Sequence, residues 1–204
     1  MKRLRESYVV IGEGITEKHY FDSIREVVTH RPRTMVPKNS SLTELEVAIK
    51  ACLIAGYSKI FCLIDMDNKV ADGNPSHEAY AAEYQRFRRK YHKQRLRNSL
   101  NDITEVILVE SFPSTEIFFS FYWGYSSHEF TNAQLKQMLK ERFGYSTEGK
   151  YLLKHPLHDT MVRAGGSLDV AIAASRQSVS QRVADNPHFP YSEIGEMIEL
   201  NFRK

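Results

Sequence analysis

Short apolar runs alternate with amphipathic segments through the first 125 residues of the chain. The runs at residues 7–11, 59–65 and 105–109 are each nearly continuous in apolar side chains, which is typical of strands buried on both faces. Segments with helical spacing lie at residues 17–28, 42–53 and 76–100, and a proline-flanked stretch at 30–37 is compatible with an edge strand. The pattern predicts an α/β fold with a mostly parallel sheet of about four strands flanked by helices.

The pattern changes beyond Gly124, where amphipathic segments follow one another without strands. Helical spacing recurs at residues 131–143, 167–183 and 191–201, and Asn186-Pro187 separates the last two. We therefore predict a core at residues 1–125 and a helical C-terminal extension at residues 126–204 that packs on the core.

Carboxylates follow the predicted strands at the point where each strand ends. Asp65 and Asp67 close the central run, and side-chain alternation in an extended backbone directs both to the same side. Glu13 and Glu17 follow the first run and flank the start of a helix, with glycines on both sides of Glu13. Ligands of open α/β sheets bind at the carboxyl ends of strands, so these four acids are expected to meet in one crevice. The alternative for Asp67-Asn68 is ordinary turn chemistry.

A third predicted strand leads into Glu116, at the start of an aromatic segment. An acid in the first turn of a helix is favoured by the helix dipole, and this accounts for Glu116 without any catalytic role. A position at the same edge of the sheet as the other acids also makes it a candidate metal ligand. Both interpretations stay open at the level of sequence.

The predicted helix at residues 76–100 carries a run of cations with no acid among them. The seven basic residues are Arg86, Arg88, Arg89, Lys90, Lys93, Arg95 and Arg97. Such a helix could follow a phosphate backbone, with its tyrosines available for base stacking. The alternative is a solvated surface helix whose long basic side chains cover an apolar face.

Composition narrows the class of protein. The chain has 204 residues, 42% hydrophobic and 26% charged, with a net charge of +3, as expected for a globular domain. Cys52 and Cys62 lack metal-ligand spacing and are expected to be buried free thiols, which fits a reducing cytoplasm. The N-terminus resembles no signal peptide, no stretch approaches the roughly 20 apolar residues of a membrane span, and no P-loop motif occurs.

Four motifs resemble those of RloB-like proteins, a branch of the Toprim superfamily. The segment at residues 13–21, EGITEKHYF, is similar to the family's EGxTExxYF opening, and Asp65-Met66-Asp67 resembles its DxD motif. Residues 111–119, SFPSTEIFF, are similar to its SNPxFExWxxxHF segment, although Thr115 replaces the family's Phe and Phe112 its Asn. Lys150-Tyr151 resembles a later Lys-Tyr element, so the resemblance covers nearly the whole chain.

The resemblance implies a Toprim fold and cleavage of nucleic acid with Mg²⁺ or Mn²⁺. The expected roles place metal on Asp65, Asp67 and Glu17, with Glu13 completing the metal shell or acting as general base. Glu116 supplies a further ligand, and Lys150 neutralises the transition-state phosphate. Related Toprim nucleases of the OLD and PARIS types act in bacterial phage defence, often beside an ATPase, so the resemblance also implies a defence role and an ATPase partner.

Two other functions remain open at this level. Some Toprim domains bind nucleic acid or proteins without cutting, and small Toprim enzymes mature ribosomal RNA. The choice between RNA, tRNA in particular, and DNA is also open, as is homo-oligomerisation. The sequence gives no indication of a membrane partner.

Overall fold

The computed structural model describes residues 7–71, 73–182 and 186–203, and shows an α/β fold. Two expectations fall outside these ranges: the basic residues at positions 1–5 and the end of the predicted helix at Val183. The first half contains β1 (Tyr8–Ile11), α1 (Ile15–Ser23), β2 (Arg33–Met35), α2 (Leu42–Ile54), β3 (Lys59–Asp65), α3 (Pro75–Tyr91), β4 (Gln94–Arg97) and β5 (Ile103–Phe112). The second half contains α4 (Glu116–Ser120), a 3₁₀ turn (Phe121–Trp123), α5 (Asn132–Phe143), α6 (Gly149–Lys154), α7 (Leu157–Arg163), α8 (Leu168–Ser180), β6 (Tyr191–Ser192) and α9 (Ile194–Asn201).

The strands form one mixed, mostly parallel sheet in the order β2-β1-β3-β5-β4. The first four run parallel, which confirms the parallel sheet expected from alternating strands and helices. β4 pairs antiparallel with the beginning of β5, and β6 pairs antiparallel with its end. The expected count of about four strands is therefore too low for the described residues, because it omits the two antiparallel strands.

Strand β3 lies at the centre of the sheet and is buried on both faces. Phe61 and Leu63 belong to one apolar cluster, whereas Ile60, Cys62 and Ile64 belong to the other. Helices cover both clusters, so the apolar run has no face left for solvent. Cys52 and Cys62 are buried free thiols, as expected.

Local capping explains where the early helices begin and end. Ser41 Oγ accepts a hydrogen bond from Glu44 N at 3.3 Å, and Gly56 follows α2 with φ +77°, both as expected. Helix α1 ends at Ser23, earlier than the expected residue 28. The apolar spacing continues past its end because Ile24 and Val28 are buried in the turns that follow, whereas Val27 is exposed.

The basic stretch at residues 76–100 is not one helix. Helix α3 ends at Tyr91, and Lys93 adopts φ +58°, a left-handed conformation that cannot continue a helix. The chain then reverses into β4, an edge strand with mostly exposed side chains. Tyr84, Phe87 and Tyr91 keep helical spacing, whereas Leu96 lies five residues beyond Tyr91 and breaks it.

The C-terminal part contributes to the sheet as well as to the helical layer. The expected helix at residues 191–201 begins only at Ile194, because Tyr191 and Ser192 pair with Phe112 and Ser111. A purely helical extension is therefore wrong for the described residues, while the division near residue 125 remains a prediction. Within the described ranges, no helix is both long and apolar enough to cross a bilayer.

A carboxylate cavity as candidate functional site

The carboxyl ends of β1, β3 and β5 meet at one edge of the sheet, where a cavity of about 310 Å³ opens. We call it the carboxylate cavity because five acids line it: Glu13, Glu17, Asp65, Asp67 and Glu116. The structure thus brings together all five acids that the sequence singles out. Their roles as ligands or catalysts remain predictions.

Glu13 is held by a buried lysine. Its Oε1 accepts hydrogen bonds from Lys69 Nζ at 3.0 Å and from Asp65 N at 3.2 Å. Lys69 also donates to Asp65 O at 2.6 Å and lies over the ring of Tyr80 at 5.5 Å from its centroid. Only 3% of the Lys69 side chain is exposed, so its ammonium is a fixed component of the cavity wall.

Glu17 folds back onto the turn that precedes its helix. Its Oε2 accepts a hydrogen bond from Gly14 N at 2.9 Å. In a capping box, the side chain of the third helical residue accepts a bond from the N-cap backbone in this way. A Cβ on Gly12 would lie 2.6 Å from the Cβ of Glu17, closer than real Cβ atoms come. The chain bends at Glu13 and Gly14 without a positive φ at either neighbouring glycine, so Gly12 is required for the space that it leaves to Glu17.

Asp65 is fixed from the β5 side. Its Oδ1 accepts hydrogen bonds from Thr115 N at 2.8 Å and from Thr115 Oγ1 at 3.1 Å. The threonine that replaces the Phe of the RloB-like motif therefore contributes a hydroxyl that phenylalanine lacks. Both bonds end on Oδ1, so Oδ2 of Asp65 takes part in neither.

Asp67 shows both the turn chemistry and a link to the C-terminal part. Its Oδ1 accepts from Asn68 N at 2.9 Å, so the turn alternative is correct as local structure. Its Oδ2 accepts from Asn132 Nδ2 at 2.7 Å, at the start of α5. The turn and the position at the cavity are therefore compatible.

Glu116 lies at the first residue of α4 and is buried. Its Oε2 accepts from Ser114 Oγ at 2.8 Å, and its Oε1 accepts from Tyr145 OH at 2.9 Å. Lys136 Nζ lies 3.5 Å from Oε1. Glu116 thus lies in the first turn of a helix and also lines the cavity, so its position is compatible with both interpretations.

Burial and mutual repulsion shift the pKa values of three of these acids. Burial raises the pKa of Asp65 well above its usual range, and the carboxyl groups of Glu17, Glu13 and Glu116 raise it further. Burial, with Glu116 and Glu13, raises the pKa of Glu17 to about 7. Burial also raises the pKa of Glu13, although the Lys69 ammonium partly offsets this rise.

The donor chemistry of the cavity fits a hard divalent cation. Five carboxyl groups face two ammonium groups, and oxygen donors are the ligands that Mg²⁺ and Mn²⁺ prefer. Among the described residues, no group of three or more His, Cys, Asp and Glu side chains is already arranged to hold a metal ion. Lys69 explains part of this result, since its ammonium engages Glu13. The fit is therefore one of charge and ligand type, and side chains would have to rotate to form a metal shell.

The basic residues that the sequence singles out are not among the described residues that line the carboxylate cavity. Lys150 is exposed at the start of α6 and is not among the described residues that line the cavity, whereas Lys69 and Lys136 are. In α3, Arg88 Nε donates to Glu110 Oε1 at 2.9 Å, and Lys90 Nζ lies 3.1 Å from Glu46 Oε1.

The remaining basic residues, Arg86, Arg89, Lys93, Arg95 and Arg97, are exposed on α3, β4 and the turn between them. Tyr84 and Tyr91 are buried in the core, so the expectation that they are available for base stacking is wrong. They occupy the apolar face of α3, as helical spacing allows. Tyr80 alone among the α3 tyrosines lines the carboxylate cavity.

Sequence reasoning missed the neutral and cationic partners of the acids. These partners are Lys69, Ser114, Asn132, Lys136 and Tyr145. Lys69 follows the DxD motif by two residues, and that proximity was an available signal. Ser114 precedes its partner Glu116 by only two residues, whereas Asn132, Lys136 and Tyr145 reach the cavity only through tertiary packing.

The comparisons with known proteins agree with the sequence motifs. The profile of the family described as RloB-like protein matches residues 8–200, which includes every acid of the cavity. No curated protein and no solved structure matches the chain. Since the match extends over nearly its full length, the chain belongs to the RloB-like protein family.

Proposed function

We propose that this protein is a divalent-metal-dependent nuclease of the Toprim type that hydrolyses phosphodiester bonds in RNA, tRNA included, or DNA. The observation that carries the proposal is the convergence of five carboxyl groups from three strand ends on one cavity. Metal-dependent phosphodiester hydrolysis needs such a cluster, because divalent ions must be held where charge develops on the phosphate. The Toprim assignment of the sheet is part of the same proposal.

In this proposal, Glu17, Asp65, Asp67 and Glu116 would hold Mg²⁺ or Mn²⁺, and Glu13 would complete the site or accept a proton from the attacking water. The bound ion would activate water and stabilise the leaving oxygen. The chain contributes orientation, since Thr115 fixes one oxygen of Asp65 and Ser114 with Tyr145 fixes Glu116. Lys69 and Lys136 place positive charge at the wall of the cavity, where a phosphate would lie.

The raised pKa values of Glu17 and Asp65 support a cation at this position. Carboxyl groups that are costly to ionise together become easier to ionise when a divalent charge lies between them. The proposed reaction should therefore need more metal at lower pH, because protons compete for the same oxygens.

The test incubates purified protein with labelled tRNA, single-stranded DNA and duplex DNA, with and without Mn²⁺ or Mg²⁺. Asp65→Asn and Glu17→Gln are the informative variants, since each imitates the protonated form that burial favours and should leave the fold intact. We expect cleavage to fall at least about 100-fold in each, with Glu141→Gln on the exposed face of α5 as the matched control. Full activity in either variant, or no metal-dependent cleavage of any substrate, would contradict the proposal.

A second candidate is a module that binds nucleic acid without cutting it. The observation in its favour is the Lys69 ammonium on Glu13, which neutralises one acid without any metal. Binding of the same substrates with no cleavage in Mn²⁺ would favour this candidate. The biological setting in phage defence, the ATPase partner and the cytoplasmic location belong to the proposal through the family resemblance.

A further inference from the structure

A second pocket adjoins the carboxylate cavity and shares Asp67 and Asn132 with it. Its volume is about 370 Å³, in the range of small-ligand sites. We call it the aromatic pocket because rings of Phe112, Phe130 and His188 line it. Nothing in the proposed chemistry of the carboxylates uses these rings.

The rings form a floor and a rim. Phe112 is 5% exposed and packs in the core beneath the pocket, with the ring of His188 at 5.7 Å between centroids. His188 is exposed and Phe130 is partly buried, so both present ring surface that a planar ligand can cover. A flat aromatic ligand gains stacking and burial at such a surface.

The charge of the aromatic pocket excludes a phosphate from it. Asp67 and Glu129 supply carboxylates, and none of its described lining residues is a lysine or an arginine. The two lysines of this region, Lys69 and Lys136, line the carboxylate cavity instead. A phosphate is therefore favoured on one side of Asp67 and an uncharged ring on the other.

Asn132 supplies a polar contact between the two sides. Its Nδ2 donates to Asp67 Oδ2 at 2.7 Å, whereas its Oδ1 is buried without a hydrogen-bond partner among the described residues. A buried acceptor without a partner is costly, so a rotation of the Asn132 side chain that brings this oxygen to the pocket surface would let a ligand N–H donor satisfy it. Nucleobases combine a flat ring with such donors.

We infer that the aromatic pocket binds an unpaired nucleobase of the substrate, next to the phosphate held at the carboxylate cavity. The inference rests on the proposed function for the position of that phosphate. It assigns single-stranded nucleic acid, or a flipped base, as the substrate class, because a base inside a duplex cannot present its face to these rings.

The test measures binding separately from cleavage. The probes are fluorescein-labelled 12-nucleotide oligocytidylates, in RNA and DNA forms, and a base-free sugar-phosphate 12-mer of equal charge. Anisotropy is recorded in Ca²⁺, and a gel confirms that the probes stay intact. We expect the unaltered protein to bind at least one oligocytidylate about tenfold more tightly than the base-free polymer, since base–aromatic stacking contributes about 1–3 kcal/mol.

The variants place that preference at the aromatic pocket. His188→Ala should reduce it at least about threefold, while affinity for the base-free polymer stays unchanged. Because the ring of His188 is exposed, its removal should leave the fold intact. Phe130→Leu is a second variant, and thermal melting checks that it is folded. His155→Ala is the matched control, since His155 is an exposed histidine that stacks on Tyr151 at the end of α6.

Each outcome decides the inference. Equal binding of all probes by the unaltered protein, or an unchanged preference in both pocket variants, would overturn it, and so would no binding of any probe. Cleavage without a base preference would contradict base binding at the aromatic pocket and leave the nuclease proposal intact. A base preference that depends on His188, without cleavage in Mn²⁺, would contradict the nuclease proposal and leave base binding at the aromatic pocket intact.

Discussion

Gly12 illustrates how a single residue controls the position of a carboxylate. A methyl group at this position would lie 2.6 Å from Glu17 Cβ, so Gly12→Ala must displace Glu17 or the β1–α1 turn. We expect the free energy of unfolding to fall by about 1–3 kcal/mol, as is usual for overpacking, and metal-dependent cleavage to fall with it. Urea unfolding followed by circular dichroism measures the first effect.

Gly149→Ala is the control for that prediction. Its added Cβ would lie 3.7 Å from Ile15 Cδ1, an ordinary contact, at the first residue of α6. This variant should match the unaltered protein or exceed its stability slightly, since alanine favours a helix over glycine. Equal stability of both variants would show that the approach of Gly12 to Glu17 is not restrictive.

Lys69 and Glu13 form an ion pair that is costly to break from one side. Lys69→Met removes the ammonium and leaves Glu13 buried beside other carboxyl groups. We expect a loss of about 3–5 kcal/mol at pH 8, the usual cost of an unpaired buried charge. The double variant Lys69→Met with Glu13→Gln should recover most of that loss, which a double-mutant cycle in urea measures.

Lys136→Met is the matched control, because the Lys136 side chain is 46% exposed and lies 3.5 Å from Glu116. A partly exposed pair of this kind contributes about 0–1 kcal/mol. A comparable loss in both lysine variants, or no recovery in the double variant, would contradict the assignment of Lys69 as a buried counter-ion.

The acids of the site were predictable from sequence, whereas their partners from the C-terminal part of the chain were not. Glu13 and Asp65 follow apolar runs directly, and the ends of parallel strands meet at one edge. Tyr145 and Asn132 come from segments that reach this edge only through the packing of α5 and the loop after it. Periodicity along the chain carries no signal for such an approach.

At the scale of elements, the stretch from α3 to β4 marks the limit of pattern reading. The spacing of Tyr84, Phe87 and Tyr91 correctly predicts a helix as far as residue 91. Beyond it, the run Gln94–Arg97 is polar and has no strand pattern of its own, and pairing with β5 determines its conformation. Tertiary pairing overrides local propensity at such an edge.

Neighbouring arginines of α3 have different roles, which can be compared directly. Arg88 Nε donates to the buried carboxylate of Glu110, which Tyr84 and Tyr191 also bind, whereas Arg89 is exposed. We expect Arg88→Gln to destabilise the protein by about 1–3 kcal/mol, as for a charged hydrogen bond. Arg89→Gln should change stability by less than about 0.5 kcal/mol.

Urea unfolding at pH 7 measures this difference, and nucleic-acid binding adds a second comparison. If α3 follows a phosphate backbone, Arg89→Gln weakens binding and lowers its salt dependence. Equal stability of the two variants would remove the structural role of Arg88. Unchanged binding by Arg89→Gln would remove Arg89 from the proposed contact.

At the scale of the whole molecule, the C-terminal part completes the sheet rather than only covering it. β6 pairs with the end of β5, and Glu193 Oε2 accepts a hydrogen bond from Glu110 N at 2.9 Å just beyond it. The sequence predicts α5, α8 and α9 of this part but neither the short helices α6 and α7 nor β6, since such short elements give little or no periodic pattern. The side chain of Glu193 thus satisfies a backbone donor on β5 next to β6.

This position of Glu193 predicts how the stability of the whole protein depends on pH. Burial, with the nearby Glu110 carboxylate, raises the pKa of Glu193 from 4.5 to about 7, while Arg182 and Arg88 partly offset the rise. Between these values folded Glu193 binds more protons than Glu193 of the unfolded chain, so the stability that this group contributes is fully present below pH 4.5 and is lost as pH rises through 7. Glu193→Gln keeps the acceptor for Glu110 N and removes this titration. The loss of stability between pH 5 and pH 8 should be about 2 to 3 kcal/mol smaller in Glu193→Gln than in the unaltered protein. Urea unfolding at both pH values measures this difference. The control is Glu196→Gln at an exposed position of α9, which should keep the full loss of stability. Identical pH dependence in all three proteins would contradict a buried, protonated Glu193.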